Sequence, residues 1–186
     1  MPTGARAART SDCPAVGELQ ARAWRSLYAG ILPPAALSAL DPGELADAWG
    51  DAILHPPTPL HRLLVALEGT PSGDVVVGYA AFEPAVDGAG RAIDGTVELL
   101  DLVIEPERTR RGHGSRLMSA VVDTLLATGS VDTLLTWIPA GDGPRRAFLE
   151  SCGWGPDGAY RDLESDGTTT RQVRLVTLIG PGTPDE

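Results

Sequence analysis

The chain has 186 residues, 42% hydrophobic and 22% charged, which is typical of one globular domain with a substantial core. Its net charge of −10 argues against nucleic acid as a partner, because such binding depends on neutralising phosphate charge. No apolar run approaches the length of a membrane span, which argues against a membrane partner. Two cysteines are too few for a disulfide framework, so we expect a cytoplasmic protein.

The N-terminal third of the chain predicts a short strand followed by two helices. Residues 5–10 form the expected strand, and Asp12 is placed to cap a helix with Pro14 in its first turn. Its apolar stripe is Val16, Leu19, Ala23 and Leu27. Residues 41–44 have a capping-box pattern, and the helix that follows carries the stripe Leu45, Ala48, Trp49, Ala52 and Ile53.

Strand patterns dominate the remainder of the chain. The expected strands are residues 62–68, 75–83, 96–105, 131–138, 158–163 and 170–179. One helix is predicted after Gly114, with the stripe Leu117, Met118, Val121, Val122, Leu125 and Leu126, and Asp142 is expected to cap another. We therefore expect one domain over residues 1–179, followed by a mobile tail over residues 180–186.

The segment 97–115 predicts an anion site. It reads V-E-L-L-D-L-V-I-E-P-E-R-T-R-R-G-H-G-S, so a strand ends near Pro106 and a helix opens at Gly112 and Gly114. The unsatisfied amides and the positive dipole end of a helix N-terminus both favour phosphate. Glycines allow close backbone approach, and Arg110 and Arg111 can add charge-assisted hydrogen bonds.

The details of this segment exclude two common phosphate sites. There is no G-x-x-x-x-G-K-[ST] sequence, and a dinucleotide G-x-G-x-x-G would need a third glycine. The remaining R-G-x-G resembles the acetyl-CoA loop of the GNAT acetyltransferase superfamily. Taken alone, the motif is also compatible with an ordinary tight turn between a strand and a helix.

Two further segments carry the same resemblance in the family's order. Residues 24–33, W-R-S-L-Y-A-G-I-L-P, are similar to the family's W-x3-Y-x-G-[IL]-[LI]-P pattern, and residues 147–154, A-F-L-E-S-C-G-W, are similar to its A/R-F-Y-x3-G-[FW] segment. The resemblance implies an α/β fold of the GNAT type. Such a fold has a mixed, mostly antiparallel sheet of six to seven strands, with about four helices packed on both faces.

The resemblance also implies where acetyl-CoA binds, as the acetyl donor and without a metal. The pyrophosphate would lie on residues 110–115 and the pantetheine arm along residues 102–104, pairing as an added strand. A backbone N–H near Leu102 would polarise the thioester carbonyl. The implied cofactor-binding residues are Leu102, Val103, Ile104, Arg110, Arg111, Gly112, His113, Gly114 and Ser115.

An amine must lose a proton before it attacks a thioester, and carboxylates in the strand before the loop can assist. Glu98 and Asp101 are the candidate bases, with Glu83 a third choice. Glu98 and Asp101 have opposite parity and would face opposite sides of a regular strand, whereas a β-bulge between them would bring both toward the cleft. The alternative is that either one is solvated or caps a neighbouring amide.

Four aromatic residues are candidates for the wall of the acceptor pocket. They are Trp24, Tyr28, Phe82 and Trp137. Core packing is the alternative for each of them, and it is favoured for Phe82 and Trp137. His55 and His61 flank a proline-rich turn without metal-ligand spacing, so we expect surface or packing roles for them.

Two positions depart from the family pattern. Thr109 stands where the loop often begins with Gln or Arg, and Leu149 stands where many members have the Tyr that protonates the departing thiolate. The hypothesis is an acetyl-CoA-dependent N-acetyltransferase that acts directly on a primary amine, either a small molecule or a peptide. The alternatives are a non-catalytic acyl-CoA-binding module and a phosphate-binding domain of unrelated function. The acceptor, the general acid and the presence of a homodimer stay open.

Overall fold

The structure is a computed structural model and describes residues 3–30, 32–165 and 168–180. Within these residues the chain forms seven strands in one sheet, with spatial order β1-β2-β3-β4-β5-β7-β6. The strands are β1 Thr3–Ala7, β2 Arg62–Thr70, β3 Gly73–Val86, β4 Ala92–Ile104, β5 Thr133–Pro139, β6 Gly155–Ser165 and β7 Thr168–Leu178. The helices are α1 Cys13–Leu27, α2 Pro34–Ser38, α3 Pro42–Leu54, α4 His113–Leu126 and α5 Gly143–Ser151.

The expected mixed, mostly antiparallel α/β sheet is confirmed. Among the described strands, β4 and β5 form the parallel pair, and α4 supplies the crossover that such a pair requires. Their pairing covers only Thr96–Glu98 against Thr133–Leu135. Because β4 then continues to Ile104 without β5 as its neighbour, a gap opens in the middle of the sheet.

Helices cover both faces of the sheet, as expected, and each face has its own core. On the α1 face, helices α1 and α3 pack on β2, β3 and β4, with a core of Val16, Leu19, Ala23, Leu63, Val65, Tyr79, Ala81 and Val103. On the α4 face, helices α4 and α5 cover the same strands and β5, with Leu117, Met118, Val121, Leu125, Leu134 and Leu149 among the buried residues. The gap between β4 and β5 lies between these two cores.

A β-bulge interrupts β4 beside the gap. Phe82 of β3 pairs with Leu99, whereas the preceding Ala81 pairs with Asp101, so Leu100 is an extra residue in β4. The extra residue compensates for the odd spacing of Glu98 and Asp101. Both side chains therefore leave the sheet on the α1 face.

Several local predictions were wrong in detail. The first strand is Thr3–Ala7 rather than 5–10, and the short helix α2 within the proline-rich connection was not predicted. Asp12 marks the start of α1, but its carboxylate accepts from the Arg6 guanidinium and the Arg9 amide instead of capping the helix.

The predicted apolar stripes also extend beyond the buried surface. Leu27 is 40% exposed and Leu126 is 44% exposed, and Ala48 and Ala52 of α3 lie on its solvent side. Periodicity identifies the face of a helix, whereas the width of the covering sheet determines how much of that face is buried. Most of the expected mobile tail, residues 181–186, lies outside the described residues. Within the described residues, the helices are too short or too polar to cross a membrane.

Candidate active site

A cavity of about 740 Å³ occupies the gap between β4 and β5. Ala23, Ser26 and Leu27 of α1 border it on one face of the sheet. The loop before α4 and the side chains of α5 border it on the other. The cavity therefore passes through the sheet, so two ligands can approach each other from opposite faces.

The loop at residues 110–115 has the geometry of a helix N-terminal anion site. Gly112 is the N-cap of α4 and has φ of 82°, a left-handed conformation that glycine adopts at no steric cost. The amides of the next residues point out of the first turn without acceptors inside the helix. Gly112, Gly114 and Ser115 all border the cavity.

The two loop glycines are required for different reasons. A Cβ at Gly114 would lie 3.1 Å from Cζ of Phe148, so this glycine allows α4 to pack closely against α5. A Cβ at Gly112 would meet only the flexible end of Arg116, so the constraint there is the backbone conformation. Gly112 thus has the positive φ for which glycine is suited, whereas the contact of Gly114 with Phe148 was not predicted from the sequence.

One carboxylate neutralises much of the positive charge of this loop. Glu68, near the end of β2, forms an ion pair with Arg108, and its Oε1 lies 3.7 Å from Nη1 of Arg111. Its Oε2 is 2.9 Å from Nε2 of His113, whose side chain is only 2% exposed. The hydrogen bond with His113, together with the charges of Arg108 and Arg111, lowers the pKa of Glu68. Sequence reasoning missed Glu68, which lies 45 residues from its histidine partner.

Arg110 differs from the other arginines of the loop. It has φ of 62° without being glycine, and it borders the cavity. Such a conformation costs free energy in an L-residue and is concentrated at ligand sites. Arg110 is therefore the arginine of the loop that is placed to face a ligand, whereas Arg111 lies close to Glu68.

The strand segment 102–104 runs along the cavity. Leu102, Val103 and Ile104 pair with Ala80, Tyr79 and Gly78 of β3 on one edge. The opposite edge faces the gap, because β5 pairs with β4 only as far as Glu98. An extended ligand can therefore form backbone hydrogen bonds with this edge.

Asp101 is a buried anion held by three side chains. Its Oδ2 accepts from Nε1 of Trp24 at 2.9 Å and from the hydroxyl of Tyr79 at 2.6 Å. Its Oδ1 lies 3.4 Å from Nη2 of Arg145. Burial, followed by the Asp101 charge, raises the pKa of Tyr79 far above its ordinary value, so this phenol stays a proton-bearing donor.

Glu98 has a different environment, although it lies on the same face. It is half-buried, and among the described residues no side chain donates a hydrogen bond to its carboxylate. Burial raises the pKa of Glu98, and the nearby Glu83 adds to this, while Arg161 opposes it. A carboxylate with a raised pKa is a better proton acceptor than one with an ordinary pKa.

The four aromatic candidates have different positions. The rings of Trp24 and Tyr28 pack edge to face with their centres 5.5 Å apart, and Nε1 of Trp24 donates a hydrogen bond to Asp101. Trp137 is half-buried, with the Arg161 guanidinium 4.6 Å from its ring centre. Phe82 is 2% exposed within the α4-face core, so the packing alternative describes it better than an acceptor wall.

The position that resembles a family tyrosine is closed to proton transfer. Leu149 is 3% exposed and borders the cavity with its apolar side chain. One helical turn earlier, Arg145 also borders the cavity. Across the gap, the Thr136 hydroxyl donates to the carbonyl of Leu99 at 2.8 Å and ties β5 to β4 beside the bulge. Neither Arg145 nor Thr136 was singled out by the sequence patterns.

The cavity lies beside both an open strand edge and a helix N-terminus, an arrangement that can hold an extended anionic ligand. The model of the acetyltransferase (GNAT) family matches residues 21–154, and the chain belongs to that family. A sequence comparison with curated proteins gives no significant match.

Solved structures agree with this assignment at the level of the fold. One is yncA of Salmonella typhimurium, a proposed acetyltransferase with its cofactor acetyl-CoA, at a TM-score of 0.70 and 18% identity over 100% of this chain and 99% of that one. A ribosomal-protein-alanine N-acetyltransferase from Brucella melitensis has a TM-score of 0.69 and 19% identity, and the match covers 94% of this chain and 98% of that one. The Thermoplasma acidophilum paia N-acetyltransferase, in complex with coenzyme A, has a TM-score of 0.65 and 16% identity, and the match covers 93% of this chain and 98% of that one.

Proposed function

We propose that the protein is an acetyl-CoA-dependent N-acetyltransferase that transfers the acetyl group directly to a primary amine. The observation that carries the proposal is the cavity through the sheet. One end of it meets the first turn of α4, and the other meets the bulge that holds Glu98 and Asp101 on one face. The cavity thus joins an anion site to the Asp101 carboxylate, while Glu98 lies outside the cavity lining, three residues earlier in the same strand. We also propose a single domain over residues 1–179 and a cytoplasmic location.

The donor would lie along the loop and the open edge of β4. Its pyrophosphate would accept hydrogen bonds from the amides of residues 113–115 and from Arg110. Its pantetheine amides would pair with the strand edge at residues 102–104. A backbone N–H near Leu102 would then stabilise the negative charge that develops on the thioester oxygen.

The acceptor would lose its proton to Glu98, either directly or through a water molecule. With a pKa of about 10.4, only roughly one primary amine in a thousand is neutral near pH 7.4, a penalty of about 4 kcal/mol. The burial that raises the pKa of Glu98 makes it a stronger base than an exposed carboxylate. Asp101 would position other side chains, because its carboxylate holds Trp24, Tyr79 and Arg145 around the reacting centre.

The acceptor side would be walled by Trp24, Tyr28 and Trp137. The net charge of −10 and the carboxylates of this region favour an acceptor that arrives as a cation. A small amine and a peptide N-terminus both fit this description. In either molecule the reacting group would be a primary amine.

Binding of acetyl-CoA is the first test. At 100 times the dissociation constant, a ligand stabilises the folded state by about 2.7 kcal/mol. For a domain of this size we expect the Tm to rise by roughly 5–11 °C. A flat thermal titration up to millimolar acetyl-CoA would contradict the cofactor assignment.

Release of CoA thiol, measured across a panel of primary amines, is the second test. We expect thiol release that depends on the amine, with mass spectrometry showing the acetylated product. Acetyl-CoA binding without release on any amine would favour the non-catalytic acyl-CoA-binding module. The apolar Leu149 side chain at the cavity makes that alternative specific enough to test.

A further inference from the structure

We infer that the Arg145 guanidinium stabilises the CoA thiolate that leaves during acetyl transfer. The inference rests on the proposed function, because it assumes that the thioester lies at the bulge end of the cavity. It addresses a gap in the chemistry, since the C–S bond must break beside Leu149, which cannot donate a proton. A fixed positive charge near the sulfur offers another way to stabilise the departing group.

Helix α5 places Arg145 on the cavity wall. The Asp142 carboxylate caps this helix by accepting from the Arg145 amide at 3.1 Å. Arg145 and Leu149 are four residues apart, so they lie on the same face of the helix, and both border the cavity. The guanidinium therefore stands one turn from the apolar position, toward the helix N-terminus.

The guanidinium is held in place with hydrogen-bonding capacity to spare. Its Nη2 lies 3.4 Å from Oδ1 of Asp101 and its Nε lies 3.6 Å from Oδ2 of Asp142. The side chain is 18% exposed, so it is largely withdrawn from solvent, where a charge acts more strongly. Arginine has five N–H donors, and these two long contacts leave donors free for a ligand.

Three other donors near the bulge are already engaged. The Thr136 hydroxyl donates to the carbonyl of Leu99, and the Trp24 and Tyr79 donors are directed to Asp101. Arg110 borders the cavity from the loop before α4, beside the anion site. Among the described residues that border the bulge end, Arg145 is thus the cation placed to meet the sulfur.

The reaction balances without a proton donor at position 149. The amine nitrogen forms a bond to the carbonyl carbon, the C–S bond breaks, and its electron pair stays on sulfur. Glu98 releases to water the proton that it took from the ammonium group, and it then accepts the second nitrogen proton as the amide forms. Arginine keeps its own proton, because a guanidinium stays charged in proteins, and it stabilises the thiolate by charge-assisted hydrogen bonds. The thiolate takes a proton from water on release.

The pKa of the bound CoA thiol tests this inference directly and requires no known acceptor. Ultraviolet absorbance of the thiolate is titrated against pH for free CoA and for CoA bound to the wild type, Arg145→Gln and Arg146→Gln. A nearby cation lowers the pKa of a thiol, and we expect a decrease of about one unit in the wild-type complex. Arg146→Gln is the matched control, because its side chain pairs with Glu150 and is 40% exposed.

We expect Arg145→Gln to abolish the decrease and Arg146→Gln to retain it. In turnover, Arg145→Gln should lower kcat about tenfold or more with little change in the KM for acetyl-CoA, and Arg145→Lys should restore part of the rate. A thiol pKa in the wild-type complex equal to that of free CoA would overturn the inference, whatever the stability of the variants. An equal decrease in wild type and Arg145→Gln would also overturn it. Failure of the wild type to bind CoA would instead overturn the proposed function on which the inference rests.

Discussion

Two glutamates, one beside the loop before α4 and one beside the bulge of β4, have very different surroundings. Glu68 beside the phosphate loop faces Arg108, Arg111 and His113, and its pKa is lowered. Glu98 beside the bulge is half-buried, and its pKa is raised. The first is stabilised as an anion by its hydrogen bond and cationic neighbours, whereas ionisation of the second is opposed by burial.

The comparison teaches that charge near a cavity does not by itself identify the chemistry. The loop is the most basic segment of the chain, yet a single carboxylate compensates much of its charge internally. Its proposed ligand contacts are mainly backbone amides and Arg110. At the bulge end the proposed contacts are side chains from separate elements, so the two ends should respond to mutation in different ways.

The largest expected effect is on the rate, at the bulge end. Glu98→Gln should lower kcat/KM by about 10²–10⁴-fold at neutral pH, the usual contribution of a general base. Activity should recover partly as the pH rises and neutral amine accumulates. Steady-state kinetics on an identified acceptor would measure this, with the exposed Glu18→Gln as the control. An unchanged rate in Glu98→Gln would assign the base elsewhere.

The next effect is on stability, at Asp101. Asp101→Ala leaves Arg145 without one of its anions and removes the acceptor of Trp24 and Tyr79. Breaking such a buried cluster should cost about 3 kcal/mol, or roughly 6–12 °C in Tm. Asp101→Asn keeps an oxygen acceptor and should cost less. Equal losses in thermal unfolding of the two variants would show that the hydrogen bonds contribute little.

At the loop end, backbone conformation should matter more than charge. Gly112→Ala and Gly129→Ala both place a side chain on a left-handed residue, with φ of 82° and 66°, at the two ends of α4. Each should destabilise the fold by about 1–2 kcal/mol. Calorimetric titration should show weaker CoA binding only for Gly112→Ala. Equal loss of affinity in both variants would indicate a general effect of helix stability.

The smallest effect sharpens the comparison through pH. Glu68 has a lowered pKa, so its contribution to stability is present at neutral pH and is lost as the pH falls through that pKa. Glu98 has a raised pKa, so its ionisation costs stability as the pH rises through that value. At neutral pH, Glu68→Gln should therefore lower the Tm and Glu98→Gln should raise it.

Both differences should shrink as the pH falls and the wild-type carboxyls take up protons, and the difference for Glu98→Gln should shrink first. Thermal unfolding from pH 3 to pH 8 would follow them, with the exposed Glu107→Gln as a control from the same loop. Shifts of the same sign in Glu68→Gln and Glu98→Gln would contradict the assignment of opposite roles.

Local patterns in the sequence predicted the features that local forces create. The caps of α3 and α5 are confirmed, since Asp41 accepts from the amide of Glu44 and Asp142 from the amide of Arg145. A β-bulge was one way in which Glu98 and Asp101 could reach the same face, and β4 has one. In each case the residues involved are within a few positions of one another.

The environment of the carboxylates could not be predicted in this way. The donors to Asp101 are 77, 22 and 44 residues away in the chain, and each is brought in by a different element. Nothing in the composition of β2 distinguishes Glu68 from any other acid at a strand end. Such contacts depend on the register of the sheet and the docking of helices, which a single sequence does not display.

The opening between β4 and β5 has a kinetic consequence. Because the cavity reaches both faces of the sheet, neither substrate needs to leave before the other arrives, and both can be bound when the acetyl group moves. Double-reciprocal plots at several fixed acceptor concentrations should then intersect instead of running parallel. Free CoA added as a product should compete with acetyl-CoA, because the two occupy the same side of the opening.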